Sequence, residues 1–200
     1  MELMDRKEAL LRTFKDEIKC YLWSMLVRKE VMQESFSNYR AYEDYATVFK
    51  WMSHVETVVR LRTPLYHYRQ SAASTLHCRA AQNNIDLLNA TMERYRLISD
   101  KGLLREDAET VNGIYTRMLI KAAKDLSRSS YSKGFKIYFL REISSELKKI
   151  HLSSSYRHLG AKCLLRYKLI KKSPKLFKSI AEKSTVFCLK NKNICRNLYK

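Results

Sequence analysis

Two adjacent carboxylates, Glu43 and Asp44, stand directly before an apolar run that has helical spacing. A carboxylate that is ionised at neutral pH can take a proton from a hydroxyl group within hydrogen-bond reach. A helix N-terminus favours the charged form, which keeps such a group ready but weakens its basicity. The same position suits ordinary first-turn acids that only stabilise the helix, and composition alone favours that simpler interpretation.

A second group of reactive side chains lies further along the chain, where the extended segment Leu65-Tyr66-His67-Tyr68-Arg69 is followed by Ser74. An arginine presents a planar set of donors that suits phosphate oxygens, and a serine adds a hydroxyl donor. Upstream of the acidic pair, the segment 21–30 contains Trp23 and carries the basic pair Arg28-Lys29 near its end. Each of these pieces alone is a weak signal.

Taken in this order, the pieces closely resemble the C-terminal half of the catalytic domain of glycosyltransferase family 2. These are inverting enzymes that take sugars from nucleotide diphosphates. The resemblance covers residues 15–80. It implies that residues 1–78 are the C-terminal part of a nucleotide-diphospho-sugar transferase-like α/β domain, and that residues 79–200 are a basic helical extension.

The resemblance also implies catalytic roles for the acidic pair. Asp44 matches the general base that removes a proton from the acceptor hydroxyl while the nucleotide diphosphate leaves. Glu43 is the adjacent acid, which is expected to shape acceptor binding or the environment of the base. The implied partners are a nucleotide-sugar donor and a saccharide or lipid-linked acceptor.

The same resemblance implies binding roles for the other residues. It assigns to the diphosphate side of the pocket the closing segment with Tyr66, Tyr68, Arg69 and Ser74. There His67 would approach the metal or the diphosphate, although a solvent-facing strand residue is the favoured interpretation. Trp23 is expected to stack on a sugar or, as the favoured alternative, to anchor the core.

One motif that the complete family enzyme needs is missing. The family binds Mg²⁺ or Mn²⁺ with an Asp-x-Asp that neutralises the leaving diphosphate, and no Asp-x-Asp occurs in these 200 residues. We therefore expect a truncated or split glycosyltransferase whose N-terminal half is a separate chain or is lost. Such a chain is expected to turn over nucleotide sugar weakly or not at all by itself.

The periodicity predicts a mainly α fold with a small β element, ending in a helical bundle. Apolar residues at helical spacing predict one helix over 5–27 and another over 44–53. The β-branched run from Val55 to Arg62 predicts a short strand. A lone strand is not stable, so its partner strands are expected in the missing half of the domain. From residue 79 onward the pattern is helical throughout.

The charge is concentrated at the end of the chain. Residues 131–200 hold 18 basic and 3 acidic side chains, which is 15 of the net charge of +19. Such a block is attracted to phosphate headgroups, so we expect an anionic membrane surface or a lipid diphosphate as partner. The alternatives are a module that grips nucleic acid, for which no sequence-specific motif is present, and a set of solvated helical faces without a ligand.

The remaining composition bounds the location and the function class. The five cysteines form no C-x-x-C pair, which indicates reduced thiols and a cytoplasmic protein. No apolar run approaches the roughly 20 residues of a membrane span, so association with the inner membrane face would be peripheral. The four glycines stand singly, which excludes a complete glycine-rich phosphate loop.

Overall fold

The structure is a computed structural model that describes residues 1–32, 36–67, 69, 81–150 and 159–182, with the backbone alone for 81–83. Its contacts divide the chain into two compact units, Met1–Ile114 and Tyr115–Lys200, called here the N-terminal and C-terminal units. The described residues are mainly helical and include one two-stranded sheet. The prediction of a mainly α fold with a small β element is confirmed at this level.

The sheet joins the two ends of the first sixty residues. Strand β1 (Glu2–Asp5) pairs antiparallel with β2 (Thr57–Arg60), with Glu2 opposite Arg60 and Asp5 opposite Thr57. The predicted strand therefore exists, but the expectation that its partner belongs to a missing half is wrong. β1 has only four residues, too few for an alternating pattern to be recognised. The ribbon is stabilised by packing on the first helix.

Helix α1 (Arg6–Phe14) is much shorter than predicted. The Asp5 side chain caps its start by accepting a hydrogen bond of 2.7 Å from the Glu8 amide. The helix ends because Asp16 adopts a left-handed conformation with φ of +65°, a common helix stop. The prediction of one helix over 5–27 is wrong beyond this point. Two 3₁₀ turns follow among the described residues: Leu22–Ser24, inside the predicted range, and Lys29–Val31, beyond it.

Two further helices complete the core of the N-terminal unit. Helix α2 (Glu43–Met52) confirms the helix predicted over 44–53, and it packs against both α1 and α3 (Ala81–Asp100). A 3₁₀ turn, Arg105–Asp107, leads from α3 into the next helix. The fully buried apolar side chains of this core are contributed by α1 and α2: Leu10, Phe14, Val48 and Phe49.

Helix α4 (Ala108–Arg128) contributes its first residues to the N-terminal unit and its remainder to the C-terminal unit. The C-terminal unit adds α5 (Lys133–Lys149), α6 (Ala161–Lys172) and a helical segment over 174–182. These helices confirm the helical pattern predicted for this part of the chain. Their buried apolar stripe is formed by Leu119, Leu140, Ile143, Leu147 and Ile170.

Buried polar contacts tie the C-terminal helices together. The Tyr115 hydroxyl donates to a Glu146 carboxylate oxygen at 3.0 Å, which joins α4 to α5. The Lys136 ammonium donates to the Ser127 carbonyl at 3.2 Å and to Glu182 at 3.4 Å. These contacts fix α5 against its neighbours. Within the described ranges, no helix is both long and apolar enough to cross a membrane.

Candidate functional site

The acidic pair lies where the sequence predicted, at the first turn of α2, but the backbone before it is unusual. Tyr42 is the N-cap and has a left-handed backbone with φ of +64°, and its side chain makes no capping hydrogen bond. The Asp44 carboxylate accepts a hydrogen bond of 2.7 Å from the Tyr45 amide. One oxygen of Asp44 therefore accepts a backbone hydrogen bond, as an ordinary first-turn acid does. Tyr42, two residues before it, has a strained backbone of a kind often found at functional sites.

The segment that leads into α2 is held by side chains of α2 and α3. The Ser37 amide donates to the Thr47 hydroxyl at 2.9 Å, and the Ala41 amide donates to a carboxylate oxygen of Asp86 at 3.2 Å. These contacts pair backbone donors of an irregular segment with buried acceptors, which fixes the position of the α2 start.

Burial dominates the electrostatics of the Asp44 carboxylate. Partial burial raises the pKa of Asp44, the neighbouring charge of Glu43 raises it further, and the Tyr45 amide opposes the shift. The sequence predicted that the helix N-terminus would stabilise the charged form and weaken the base. The net direction is the opposite, because desolvation of the carboxylate outweighs the amide contact. An ionised Asp44 is therefore a better proton acceptor than an exposed aspartate.

The thiol of Cys20, which lies upstream of α2 in the chain, is buried. Burial raises the pKa of Cys20 to about 11, the Arg94 guanidinium opposes this shift, and the Asp44 carboxylate adds to it. Asp44 thus lies within electrostatic reach of Cys20, which directly precedes Tyr21 in the chain.

Three exposed aromatic rings, those of Tyr21, Trp23 and Tyr66, form a stack. The Tyr21 and Trp23 rings lie 4.8 Å apart at an interplanar angle of 9°, and the Trp23 and Tyr66 rings lie 4.5 Å apart at 30°. Trp23 is 43 % exposed and Tyr66 is 52 % exposed. The structure thus brings together one residue from each of two separate sequence motifs. The favoured expectation that Trp23 anchors the core is wrong, because its ring lies in an exposed stack.

Other predicted site residues are not drawn into this group. Glu43, His67 and Arg69 are exposed, and among the described residues neither His67 nor Arg69 makes a hydrogen bond or ion pair. Tyr68 and Ser74 lie outside the described residues. The predicted residues that the structure does bring together are Trp23 and Tyr66, which with Tyr21 form what is called here the aromatic stack.

The sequence analysis missed Arg94, which is 1 % exposed in the core of the N-terminal unit. Its guanidinium carbon lies 3.7 Å from the centroid of the Tyr45 ring and 4.4 Å from that of Phe49. Its Nη2 donates to the Thr13 carbonyl at 2.9 Å, whereas Nε and Nη1 have no acceptor among the described residues. An arginine at a buried position of the α3 apolar stripe, four residues before Ile98, was the available signal.

Burial lowers the pKa of Arg94, and its guanidinium packs against two aromatic rings of α2, those of Tyr45 and Phe49. Its charge faces Tyr45 and Cys20, both of which respond to it electrostatically. Arg94 therefore stabilises the packing of α3 against α2, and its contacts with the aromatic rings offset part of the free-energy cost of burying its charge.

The described residues hold no group of three or more His, Cys, Asp and Glu side chains that is placed to bind a metal ion. These described residues therefore do not fit the Mg²⁺ or Mn²⁺ that the family resemblance implies. Comparisons of the chain with protein-family models, with curated proteins and with solved structures found no match.

Proposed function

We propose that the N-terminal unit is the acceptor-side part of an inverting, nucleotide-sugar-dependent glycosyltransferase of family 2. The observation that supports this most directly is the aromatic stack, in which Trp23 and Tyr66 from two separate motifs meet. The donor side, with the Asp-x-Asp and its divalent cation, is supplied by a segment other than these 200 residues.

In the proposed reaction the aromatic stack holds the acceptor. The flat apolar face of an aromatic ring packs on the C–H face of a sugar ring, which orients the hydroxyl groups at its edge. The Asp44 carboxylate takes the proton of the reacting acceptor hydroxyl while the oxygen of that hydroxyl attacks the anomeric carbon of the donor. The bond from that carbon to the nucleotide diphosphate breaks, and the diphosphate leaves with the electron pair.

Saccharide binding is the primary test, because the two tryptophans differ in exposure. Trp23 lies in the exposed stack, whereas Trp51 is 5 % exposed. In a Trp51→Phe variant only Trp23 remains to fluoresce, so a saturable change in emission on titration with oligosaccharides reports binding at the stack. Tyr66→Ala in this background is expected to weaken binding about tenfold through loss of one stacking face.

Tyr138→Ala is the matched control, since Tyr138 is an equally exposed tyrosine on α5. It is expected to leave the titration unchanged. Absence of saturable emission change with any oligosaccharide would contradict the acceptor-side assignment. Equal effects of Tyr66→Ala and Tyr138→Ala would show that the rings act only as exposed apolar surface.

The role of Asp44 is tested by release of nucleotide diphosphate from a panel of nucleotide sugars with Mg²⁺ or Mn²⁺. We expect weak release by this chain, reduced about a hundredfold by Asp44→Asn because the proton acceptor is lost. Glu109→Gln changes another first-turn acid, on α4, and is expected to leave release unchanged. Robust metal-dependent sugar transfer by the wild-type chain would contradict the proposal that these 200 residues lack the donor side of the enzyme.

A second function, binding to an anionic membrane surface, is favoured for the C-terminal unit by one observation. Exposed apolar and basic side chains occur together along α6 and residues 174–182: Leu165, Lys168, Lys172, Lys175, Leu176 and Ile180. Such a surface can place its cations among phosphate headgroups and its apolar side chains just below them. This would hold the chain at the inner face of a membrane, where lipid-linked acceptors are extended.

A further inference from the structure

A cationic cleft in the C-terminal unit shares only Lys172 with the surface proposed to bind a membrane, and it shares no residue with the proposed sugar-transfer site. It has a volume of about 250 Å³ and is lined by side chains from three helical elements: Arg141, Ser144, Ser145, Lys148, Lys171, Lys172 and Pro174. Four of these residues are cations, two carry hydroxyl groups, and none of the described lining residues is acidic. The cleft is independent of the sugar-transfer site, because all of its residues belong to the C-terminal unit.

The cations of the cleft have no acidic partner among the residues that the structure describes. Arg141, Lys148 and Lys172 form no ion pair with any described residue. The Lys171 ammonium donates to the Tyr167 hydroxyl at 3.0 Å, which is a neutral partner. Two acids of neighbouring turns are engaged elsewhere, since Glu146 bonds Lys149 at 2.8 Å and Glu182 bonds Lys178 at 3.0 Å, and Glu142 does not line the cleft. Like charges gathered in this way repel unless an anion joins them.

Helix ends explain only part of this arrangement. Lys148 lies in the last turn of α5, and Lys171 and Lys172 lie in the last turn of α6, where cations interact favourably with the free carbonyl groups. Arg141 lies two turns before the end of α5 and has no such role. Pro174 opens the helical segment 174–182, whose N-terminal end adds positive rather than negative potential.

We infer that the cationic cleft binds a phosphate or diphosphate group. The guanidinium of Arg141 suits the paired oxygens of a phosphate, the lysines add point charges, and Ser145 adds an exposed hydroxyl donor. The volume is below the range of about 300–1,000 Å³ typical of drug-sized ligands, which favours a compact, multiply charged group over a whole nucleotide. The group can belong to a soluble phosphate compound or to a lipid headgroup.

The binding test uses the full chain with inorganic phosphate and pyrophosphate, measured by calorimetry at constant ionic strength in chloride. Constant ionic strength is needed because screening alone changes the affinity of exposed charges. The wild-type chain is expected to bind pyrophosphate with saturation, and more tightly than phosphate. The variant Arg141→Gln/Lys172→Gln is expected to lose about tenfold in affinity for each charged contact removed.

The matched control is Lys133→Gln/Lys162→Gln, which removes one cation from each of the same two helices at exposed first-turn positions away from the cleft. It is expected to bind pyrophosphate as the wild type does. Circular dichroism verifies that both variants retain their helices. Equal loss of affinity in the two variants, or no saturable binding by the wild type, would overturn the inference.

A second arm identifies the source of the phosphate. Vesicles that contain phosphatidic acid present a terminal phosphate, whereas vesicles of matched charge that contain phosphatidylserine do not. Preference for the first, lost in Arg141→Gln/Lys172→Gln but kept in the control variant, assigns the cleft to a lipid headgroup. Equal binding to both vesicles, with pyrophosphate binding still dependent on the cleft, assigns it to a soluble ligand.

Discussion

The two units of this chain differ most in how they treat positive charge. The N-terminal unit, residues 1–114, holds 17 basic and 16 acidic side chains, a net charge of +1. The C-terminal unit, residues 115–200, holds 22 basic and 4 acidic side chains, a net charge of +18. Each unit has enough apolar residues to bury a helical core, so the charge difference concerns partners rather than folding.

Individual cations show the same contrast. In the N-terminal unit, Arg12 bonds Glu2 at 2.6 Å, and Lys50 bonds Glu93 at 2.5 Å. Even the buried Arg94 is enclosed by aromatic faces. In the C-terminal unit, exposed cations such as Arg141 and Lys172 have no acidic partner among the described residues. These cations of the first unit are therefore paired or enclosed within it, whereas Arg141 and Lys172 of the second have no acidic partner among the described residues.

The largest expected effect concerns the buried cation. Arg94→Ala removes the stacking on Tyr45 and Phe49 and leaves a void in the core, so we expect the N-terminal unit to lose about 3 kcal/mol of stability. Chemical denaturation followed by tryptophan fluorescence measures this unit alone, because both tryptophans, Trp23 and Trp51, belong to it.

Arg94→Lys separates the charge from the planar group. A lysine keeps the charge but cannot stack or reach the Thr13 carbonyl in the same geometry, so it is expected to lose most of the same stability. The control is Lys29→Ala, an exposed cation of the same unit, whose effect should stay within about 0.5 kcal/mol. A small loss in Arg94→Ala would remove the contrast between enclosed and exposed cations.

The next effect in size concerns membrane binding. Replacing Lys168, Lys172 and Lys175 by glutamine is expected to weaken binding to anionic vesicles about a hundredfold, since each cation near the surface contributes about 1 kcal/mol. A flotation or sedimentation assay with vesicles at fixed salt measures this change. The apolar side chains of the same surface, which include Leu165, stay in place in this variant.

The comparison variant removes three exposed cations from the N-terminal unit, Lys15, Lys29 and Arg62, and is expected to change vesicle binding little. Equal weakening by both triple variants would mean that total charge, and not the C-terminal surface, drives binding. Vesicle binding that is absent, together with oligonucleotide binding that falls steeply with log salt, would instead favour the nucleic-acid alternative.

The sequence predicted the helices where one apolar stripe runs without a competing stop signal. Helix α2 and the helices after residue 81 were found because their apolar residues recur regularly. Prediction failed over 15–27, where helical spacing continued past the left-handed Asp16. A single left-handed residue is decided by local backbone energetics that periodicity does not report. The pairing of β1 with β2 was likewise hidden by the shortness of β1.

For the candidate site, residue types were readable but contacts were not. The start of α2 was located correctly, and its Asp44 was singled out. The stacking of Trp23 on Tyr66 depends on how two distant segments meet, which one sequence does not encode in its spacing. The direction of the Asp44 pKa shift depends on burial, which also follows from tertiary contacts. Arg94 was missed because the spacing of apolar residues does not single out an arginine.

The smallest expected effect sharpens the electrostatics within the N-terminal unit. Burial raises the pKa of Asp44 above its ordinary value of 3.8. The contribution of Asp44 to the free energy of unfolding is therefore fully present below pH 3.8 and is lost as the pH rises through the folded pKa. Asp44→Asn cannot ionise, so it should be slightly more stable than the wild type near neutral pH and equal to it in acid. The same tryptophan signal, followed during heating at several pH values, measures this difference.

Glu106 supplies the control with the opposite sign. Its hydrogen bond with Lys7 lowers the pKa of Glu106 below the ordinary 4.5, so its contribution is present above that value and is lost as the pH falls through the folded pKa. Glu106→Gln should therefore be slightly less stable than the wild type near neutral pH and equal to it in acid. Both differences should stay below about 2 °C because solvent screens these carboxylates. Shifts of the same sign in the two variants would mean that Asp44 is stabilised by its helix turn, as an ordinary first-turn acid is.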